Sequence, residues 1–494
     1  MRSFPIIIQG GMGVAVSGWR LANAVSRQGQ LGVVSGTALD QVLARRLQDG
    51  DHGGHIRRAL QQFPFPAMAA RVLEAYYIPG GKAERAAYKL LPLHAHDSPR
   101  ELQELCIAAN FVEVILAREG HRNPVGINFL EKLQIPHLPS LYGAMLAGVE
   151  YVLIGAGIPL KIPGALDRLA RHEPATYPLF VSGALPEEDF STSFTPRDFM
   201  EYDLPELKRP RFLAIIASNT LATTMVKKSN GRVDGFVIEG PTAGGHNAPP
   251  RGKMQLNGAG EPVYGERDRV DLEKMRELGL PFWLAGECGS PAKLREALAA
   301  GAAGIQVGTA FAFCHESGLR RDYKQALVQK AIAGTASVFT DPVASPTGFP
   351  FKVAQLGETL SDPEVYAARP RICDLGYLRE AYRTAEGKVD FRCPGEPVTL
   401  YVSKGGKLEN TVGRKCLCNA LVANIGQPQR RNGKHIEPGL VTCGDDLRNI
   451  PQFLPAGQAS YSAADVIAKL LRPQMDAEEH RWEPQLAAIE RDAR

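Results

Sequence analysis

The chain has 494 residues, with 57 basic against 53 acidic side chains for a net charge of +4. A hydrophobic content of 44% with 50 glycines describes a globular α/β protein with many tight turns and excludes a disordered chain. The basic residues are scattered, which argues against a nucleic-acid partner, and no run reaches the ~20 apolar residues that span a bilayer.

The N-terminal Met1-Arg-Ser-Phe-Pro-Ile-Ile-Ile passes straight into a strand and leaves no room for a secretory leader. A cytoplasmic protein with reduced thiols is therefore expected. Short β-branched or apolar runs, most of them ending in glycine, are predicted as strands at 6–9, 31–36, 125–129, 151–155, 212–217, 235–239, 282–286 and 304–308. Continuous apolar runs of this length indicate strands buried on both faces, hence a parallel sheet covered by helices. Eight such units predict a (β/α)8 TIM barrel over residues 1–335, with a doubly wound open sheet as the alternative.

Between the first two strands a helix is expected over 17–28, capped by Ser17, stopped by Gly29, with Trp19, Leu21, Ala22 and Val25 on its apolar face. Residues 38–123 are too many for one crossover. They predict a helical insertion after the second strand, with helices at 40–48, 67–77 and 100–118 covering one side of the barrel. Residues 161–210, rich in Pro, Ser, Thr and acidic side chains, predict an excursion or lid. Ser290-Pro291 is a cap followed by proline at the first helical position, with Leu294, Ala297 and Leu298 expected to face inward. Past residue 335 the rhythm fades. Residues 336–494 are expected to form a C-terminal α+β or irregular, cysteine-containing extension with an amphipathic helix near 463–471.

Active sites of such barrels are built from the loops after the strands. After the first strand comes Gln9-Gly-Gly-Met-Gly13, where Gly10, Gly11 and Gly13 around Met12 let backbone amides approach a planar or anionic ligand. After the sixth comes Pro241-Thr-Ala-Gly-Gly-His246, which presents one imidazole behind small residues; histidine suits proton transfer near neutral pH. The seventh and eighth end in Gly286-Glu-Cys-Gly289 and Gly308-Thr309, a pair of glycine turns that predicts a phosphate site.

These segments resemble the nitronate monooxygenase (2-nitropropane dioxygenase) family of FMN-dependent barrels, a superfamily that includes flavin-dependent enoyl-acyl-carrier-protein reductases. The resemblance rests on Pro5-Ile-Ile-Ile-Gln-Gly-Gly-Met-Gly13, Ala243-Gly-Gly-His246 and Gly301-Ala-Ala-Gly-Ile-Gln-Val-Gly-Thr309 with Glu316-Ser317, and covers roughly residues 5–318. Many relatives carry Glu-Ala-Gly-Gly-His-x-Gly, whereas here Thr242 precedes Ala243 and Asn247-Ala-Pro-Pro250 follows His246. The resemblance implies an FMN with its phosphate at Gly286, Gly289, Gly308 and Thr309 and its ring against Gly10–Gly13. It implies further polar or backbone contacts from Asn128, Ser218, Gly244 and Gly245. His246 would serve as base or hydrogen-bond donor toward a small carbanion-type substrate. Two other readings stand beside this oxidoreductase: a reductase of enoyl thioesters or activated alkenes with NAD(P)H as electron donor, and a non-catalytic flavin- or carrier-binding subunit. A homodimer is compatible with either.

Five of the eight cysteines, Cys373, Cys393, Cys416, Cys418 and Cys443, crowd the extension. Buried structural thiols are the first reading. An iron–sulfur cluster or zinc on Cys393, Cys416, Cys418 and Cys443 is the second, and a redox disulfide the third. Cys314 is expected in the core and His315 at the surface; Lys227-Lys228 and the cluster Arg430, Arg431 and Lys434 are expected to be solvated. The tract His52-Gly-Gly-His55 is expected to be a turn.

Overall fold

The computed structural model describes residues 4–431 and 435–472. Eight strands form one parallel sheet: β1 (Ile7–Gln9), β2 (Gly32–Ser35), β3 (Val125–Leu130), β4 (Tyr151–Gly155), β5 (Arg211–Ile216), β6 (Gly235–Glu239), β7 (Phe282–Ala285) and β8 (Gly304–Val307). Each strand from β2 to β8 lies beside the next in sequence, and β8 pairs with β1. The remaining seam closes where Ile8 bridges Leu31: Gln9 N–H donates to the Leu31 carbonyl at 2.9 Å and Leu31 N–H to that of Ile7 at 3.0 Å. The sheet is therefore a closed (β/α)8 barrel and not the open alternative.

The pleat explains why the strands read as unbroken apolar runs. Ile8, Leu31, Val33, Tyr151, Leu153, Leu213, Val237 and Trp283 form one cluster inside the barrel. Their chain neighbours Ile7, Val34, Val152, Phe212, Phe236 and Phe282 pack outward among the helices. Trp283 is fully buried and its indole N–H donates to the Pro5 carbonyl at 2.8 Å, which plugs the end of the barrel opposite the strand C-termini.

The first helix spans Trp19–Arg27, with Gly29 in the left-handed region at φ +77° after its end. Ser17 does not cap it. Glu113, on the helix Arg100–Ala117, accepts from Trp19 N–H at 2.8 Å and takes that role, while the Ser17 hydroxyl is spent on the loop after β1. The insertion contributes Leu39–Gln48, His55–Leu60, Pro66–Tyr76 and Arg100–Ala117. The last of these is buried along most of its length between the first helix and His137–Leu146. Residues 161–210 begin with a helix of the barrel, Ile162–Ala170, and then make a hairpin of Ala175–Pro178 with Ser191–Phe194. Ser290 caps Pro291–Ala299 through Lys293 N–H, as expected, and Leu294 and Ala297 are buried. Leu298 instead points outward, 44% exposed, because the apolar stripe of this helix is narrower than its composition suggests.

Beyond the barrel, Val338–Asp341 pairs antiparallel with Phe351–Ala354, and Glu380–Arg383 with Val389–Arg392. The helix Ala463–Leu471 starts in a capping box of Ser462 and Asp465. Val441, Leu447, Ile450, Phe453, Tyr461 and Val466 join the hydrophobic core of the barrel's outer layer. Among the described residues no helix is long and apolar enough to cross a membrane.

Candidate active site

A cavity opens at the C-terminal ends of the barrel strands, lined from nearly every βα loop and roofed by residues of the last third of the chain. The loop after β1 is held tightly. Gly10 N–H donates to the Val307 carbonyl at 2.9 Å, and the Ser17 hydroxyl accepts from Met12 N–H and donates to the Gly10 carbonyl, both at 2.9 Å. A Cβ on Gly11 would lie 2.4 Å from Cβ of Asn128, so only glycine lets this loop rest on β3. Three non-glycine residues of the rim, Ala38, Ala156 and Glu287, sit in the left-handed region at φ +54°, +56° and +49°. Such conformations persist where the surroundings fix them, and they cluster at functional sites.

The loop after β6 is clamped from the far end of the sequence. Gly245 N–H donates to the Thr442 hydroxyl at 2.9 Å, and its carbonyl accepts from Lys352 N–H at 2.9 Å. A Cβ on Gly244 would stand 2.8 Å from the Cys443 carbonyl carbon. Gly444 N–H reaches the Thr309 hydroxyl at 3.0 Å, which ties the same segment to the turn after β8.

His246 Nε2 lies 2.7 Å from the Ser345 hydroxyl, and its ring packs edge-on against Phe351 with centroids 4.8 Å apart. Burial lowers its pKa to about 4, so the imidazole is neutral at physiological pH. A neutral ring fixed through Nε2 has Nδ1 left to exchange a hydrogen bond with a ligand. Glu239, the last residue of β6, also lines the cavity, and burial raises its pKa to about 7. Asp446 hydrogen-bonds Thr309, and burial raises its pKa to about 6. The Cys288 thiol is pushed up to about 12 by burial and stays protonated.

Of the residues singled out in the sequence, Gly10, Gly11, Met12, Gly13, Asn128, Gly244, Gly245, His246, Gly286, Gly308 and Thr309 line this one cavity. Two do not. Ser218 caps the helix Asn219–Lys228 by accepting from Leu221 N–H at 3.1 Å and faces a neighbouring cleft. Gly289 lies behind Asp446, whose carboxyl oxygen would be 3.3 Å from a Cβ there. Sequence reasoning missed Glu239, Gln306, Ser345 and Asp446. Glu239 had a signal, an acid ending an apolar barrel strand; Ser345 and Asp446 reach the site only through tertiary packing and had none.

The residues present fit an FMN. The Gln306 Oε1 is a buried acceptor without a partner among the described residues and lines the cavity floor, which suits an imide N–H. Gly286, in the left-handed region at φ +96°, and Gly308 leave room for a phosphate beside the Thr309 hydroxyl. Asp446 borders that place; protonated, it donates to a phosphate, and ionised, it repels one.

Other expectations resolve simply. Cys314 is buried and His315 exposed, Lys227 and Lys228 are solvated, and His52–Gly54 is a single helical turn. Arg431 is not solvated: it pairs with buried Glu437 and with Asp374, partners that no local pattern reveals. Lys434 lies outside the described residues. All eight cysteines are free thiols; Cys443 lines the cavity beside Asp445 and Asp446, apart from the electrostatic company of the other four in the extension.

A family model described as nitronate monooxygenase matches residues 192–346. A probable nitronate monooxygenase of Bacillus subtilis is 31% identical over 140 residues, 27% of this chain and 38% of that protein. A nitronate monooxygenase of Pseudomonas aeruginosa is 28% identical over 294 residues, 58% of this chain and 73% of the relative. The alignment thus spans well under half the length of the Bacillus protein. Among solved structures, FabK from Thermotoga maritima superposes with a TM-score of 0.45 at 15% identity, covering 95% of this chain and 93% of its own. A nitroalkane oxidase from Streptomyces ansochromogenes gives 0.43 at 15% identity, covering 94% and 96%. The matched segment carries β5, β6, the His246 loop, β7 and β8, and over it the chain is similar to nitronate monooxygenases.

Proposed function

We propose that the protein is an FMN-dependent oxidoreductase that oxidises a small carbanion-type substrate in the manner of a nitronate monooxygenase. The observation that carries this reading is the convergence of the glycine loops after β1, β6, β7 and β8 with a neutral histidine on one cavity. Bound FMN would supply the electron chemistry. Gly286, Gly308 and Thr309 would hold its phosphate, and Gly10, Gly11 and Gln306 its ring. His246, oriented by Ser345, positions the substrate through Nδ1. With a pKa near 4 it is a weak base, better suited to a substrate that arrives already ionised, as an alkyl nitronate does. The apolar ring of Phe351 and the roof at Tyr377 and Leu417 keep water away. The eight thiols and scattered charge support a reducing, cytoplasmic setting.

A second reading, reduction of an enoyl thioester or other activated alkene by NAD(P)H, is favoured by one observation. An adjoining cavity of about 1000 Å³ shares Leu133, Tyr377 and Leu378 with the first and is lined by Leu179, Phe180 and Phe349 beside Lys132 and Arg379. That is ample room for an acyl chain with an anionic end. Anaerobic stopped-flow mixing separates the two. Rapid flavin bleaching by an alkyl nitronate and not by NAD(P)H supports the first; the reverse removes it. Steady turnover by the isolated chain removes a purely binding role.

A further inference from the structure

A smaller cavity of about 180 Å³ lies in the extension, lined by Arg369, Arg371, Arg414 and Lys415 together with Tyr366 and Cys416. Among the described residues that line it none is acidic. Four cations around one hollow repel one another, so what neutralises each decides what the hollow can hold. Two are neutralised from behind. Arg369 pairs with Glu437 at 2.7 Å, and Lys415 with Asp341 at 3.0 Å, its ammonium also lying 4.8 Å from the centre of the Tyr366 ring.

The other two are held by neutral groups. Arg371 donates through Nη2 to the Thr411 carbonyl at 2.6 Å and through Nη1 to that of Pro394 at 3.1 Å. Arg414 donates through Nε to the Asn410 carbonyl at 3.0 Å, and through Nη1 to those of Val343 and Ser345 at 2.9 and 2.5 Å. Among the described residues neither guanidinium pairs with a carboxylate. Carbonyls fix these two half-buried side chains in place without cancelling their charge. A guanidinium carries five N–H groups in a planar fork, and the three bonds of Arg414 leave its Nη2 pair unspent among the described residues. Two uncancelled positive charges and spare forked donors on the wall of one hollow match a dianion whose oxygens accept from several directions. A carboxylate brings one charge in one plane and answers only half of that.

We propose that Arg371 and Arg414, with Lys415 beside them, bind a phosphate dianion, free or as the end group of a small phosphate ester. The site is tied to the candidate active site by one residue. Arg414 holds the carbonyl of Ser345, whose hydroxyl lies 2.7 Å from His246 Nε2. Directly after Cys416, Leu417 and Cys418 line the cofactor cavity. An anion that draws on Arg414 therefore bears on the seat of His246. That consequence rests on the oxidoreductase reading, whereas the binding does not.

The test is calorimetric titration of the full chain at about pH 8, where phosphate is largely dianionic, with FMN present in excess to fill the cofactor cavity. Inorganic phosphate and glycerol phosphate are titrated separately, and the tighter of the two identifies free phosphate or an ester as the source. We expect one site per chain with a Kd below about 1 mM. Acetate at equal ionic strength should bind at least about tenfold more weakly, and Arg371→Gln should weaken phosphate by at least about tenfold. Arg414→Lys, which keeps the charge and gives up the fork, should weaken it several-fold and reads the site if Arg371→Gln does not fold. Lys293→Gln, on an exposed helix of the barrel, should change nothing. If no FMN binds, the FMN reading fails alone, because the arginine variants still locate the phosphate. Phosphate binding that FMN displaces, acetate binding as tight as phosphate, or full affinity in both arginine variants would overturn the proposal.

Discussion

The barrel and the C-terminal third are held together by different physics. Between β1 and β8 the sheet is buried on both faces by aliphatic and aromatic side chains; ion pairs such as Lys293–Glu296 and Arg276–Glu273 lie on the exposed rim, and Arg209 with Asp234 is a sheltered pair ahead of β5 and β6. In the extension, charges are internal. Arg369 pairs with Glu437 at 2.7 Å with both side chains almost fully buried, Arg431 joins Glu437 to Asp374, and Lys415 meets Asp341 at 3.0 Å. Apolar burial is non-directional and tolerates substitution, whereas an internal charge needs its own partner in place. The difference teaches where each region is fragile.

The sharpest way to break this contrast is Glu437→Gln. It leaves Arg369 and Arg431 short of a counter-charge, and we expect a loss of about 3–5 kcal/mol in urea unfolding, against no more than about 0.5 kcal/mol for Glu296→Gln on the barrel rim. Equal effects would erase the distinction.

The candidate active site joins the two regions, because barrel His246 hydrogen-bonds extension Ser345. His246→Ala should keep bound flavin and lose about 10²-fold in kcat, while Ser345→Ala should lose roughly tenfold, since it frees the ring without removing it. Because burial holds His246 neutral down to about pH 4, the rate profile should show no inflection near 6.5. An inflection there that vanishes in His246→Ala would place the imidazole in a wetter setting.

A smaller effect concerns the two carboxyls at the cavity, one from each region. The pKa values of Glu239 and Asp446 are raised from 4.5 to about 7 and from 3.8 to about 6. A raised carboxyl pKa favours the folded state fully at pH values below the unfolded pKa, and that contribution is lost as pH rises through the folded value. The melting temperature of the flavin-free protein should therefore fall between about pH 4 and pH 7. Glu239→Gln should flatten the upper part of that window and Asp446→Asn the lower. Asp446→Asn should also tighten FMN binding above pH 6, measured by fluorescence titration, by removing a negative charge beside the phosphate place.

A last test lies within the barrel. Leu294→Ala should cost about 2–4 kcal/mol and outward-facing Leu298→Ala less than about 1 kcal/mol. Similar costs would mean that the helix Pro291–Ala299 buries a wider face than described.

The same contrast explains what could be read from the residues alone. Each of the eight barrel strands falls within one or two residues of its expected place, because strands buried on both faces announce themselves as apolar runs ending in glycine. The glycine loops followed, since a backbone that must approach a neighbour excludes Cβ, as Gly11 shows against Asn128. What could not be read was long-range. Ser17 has the residue type and position of a helix cap, but Glu113 arrives from another helix and displaces it. Arg431 looks like a surface cation until Glu437 and Asp374 are folded against it. Gly289 shares the glycine-turn pattern of Gly286, but Asp446 stands between it and the cavity, and nothing near Gly289 in sequence announces that acid.

The clamp on the Gly244–Gly245 turn has a consequence for biosynthesis. Its partner Thr442 lies 197 residues further along the chain, so a ribosome must release most of the protein before the roof of the cavity exists. Contacts of such sequence separation form late in folding. A nascent barrel with all eight strands in place would still present an open mouth, and truncated products ending before residue 440 should accumulate as yellowless barrels. On the FMN reading proposed above, flavin capture would report completion of the polypeptide, and cofactor content would measure how much of the cellular pool has finished folding.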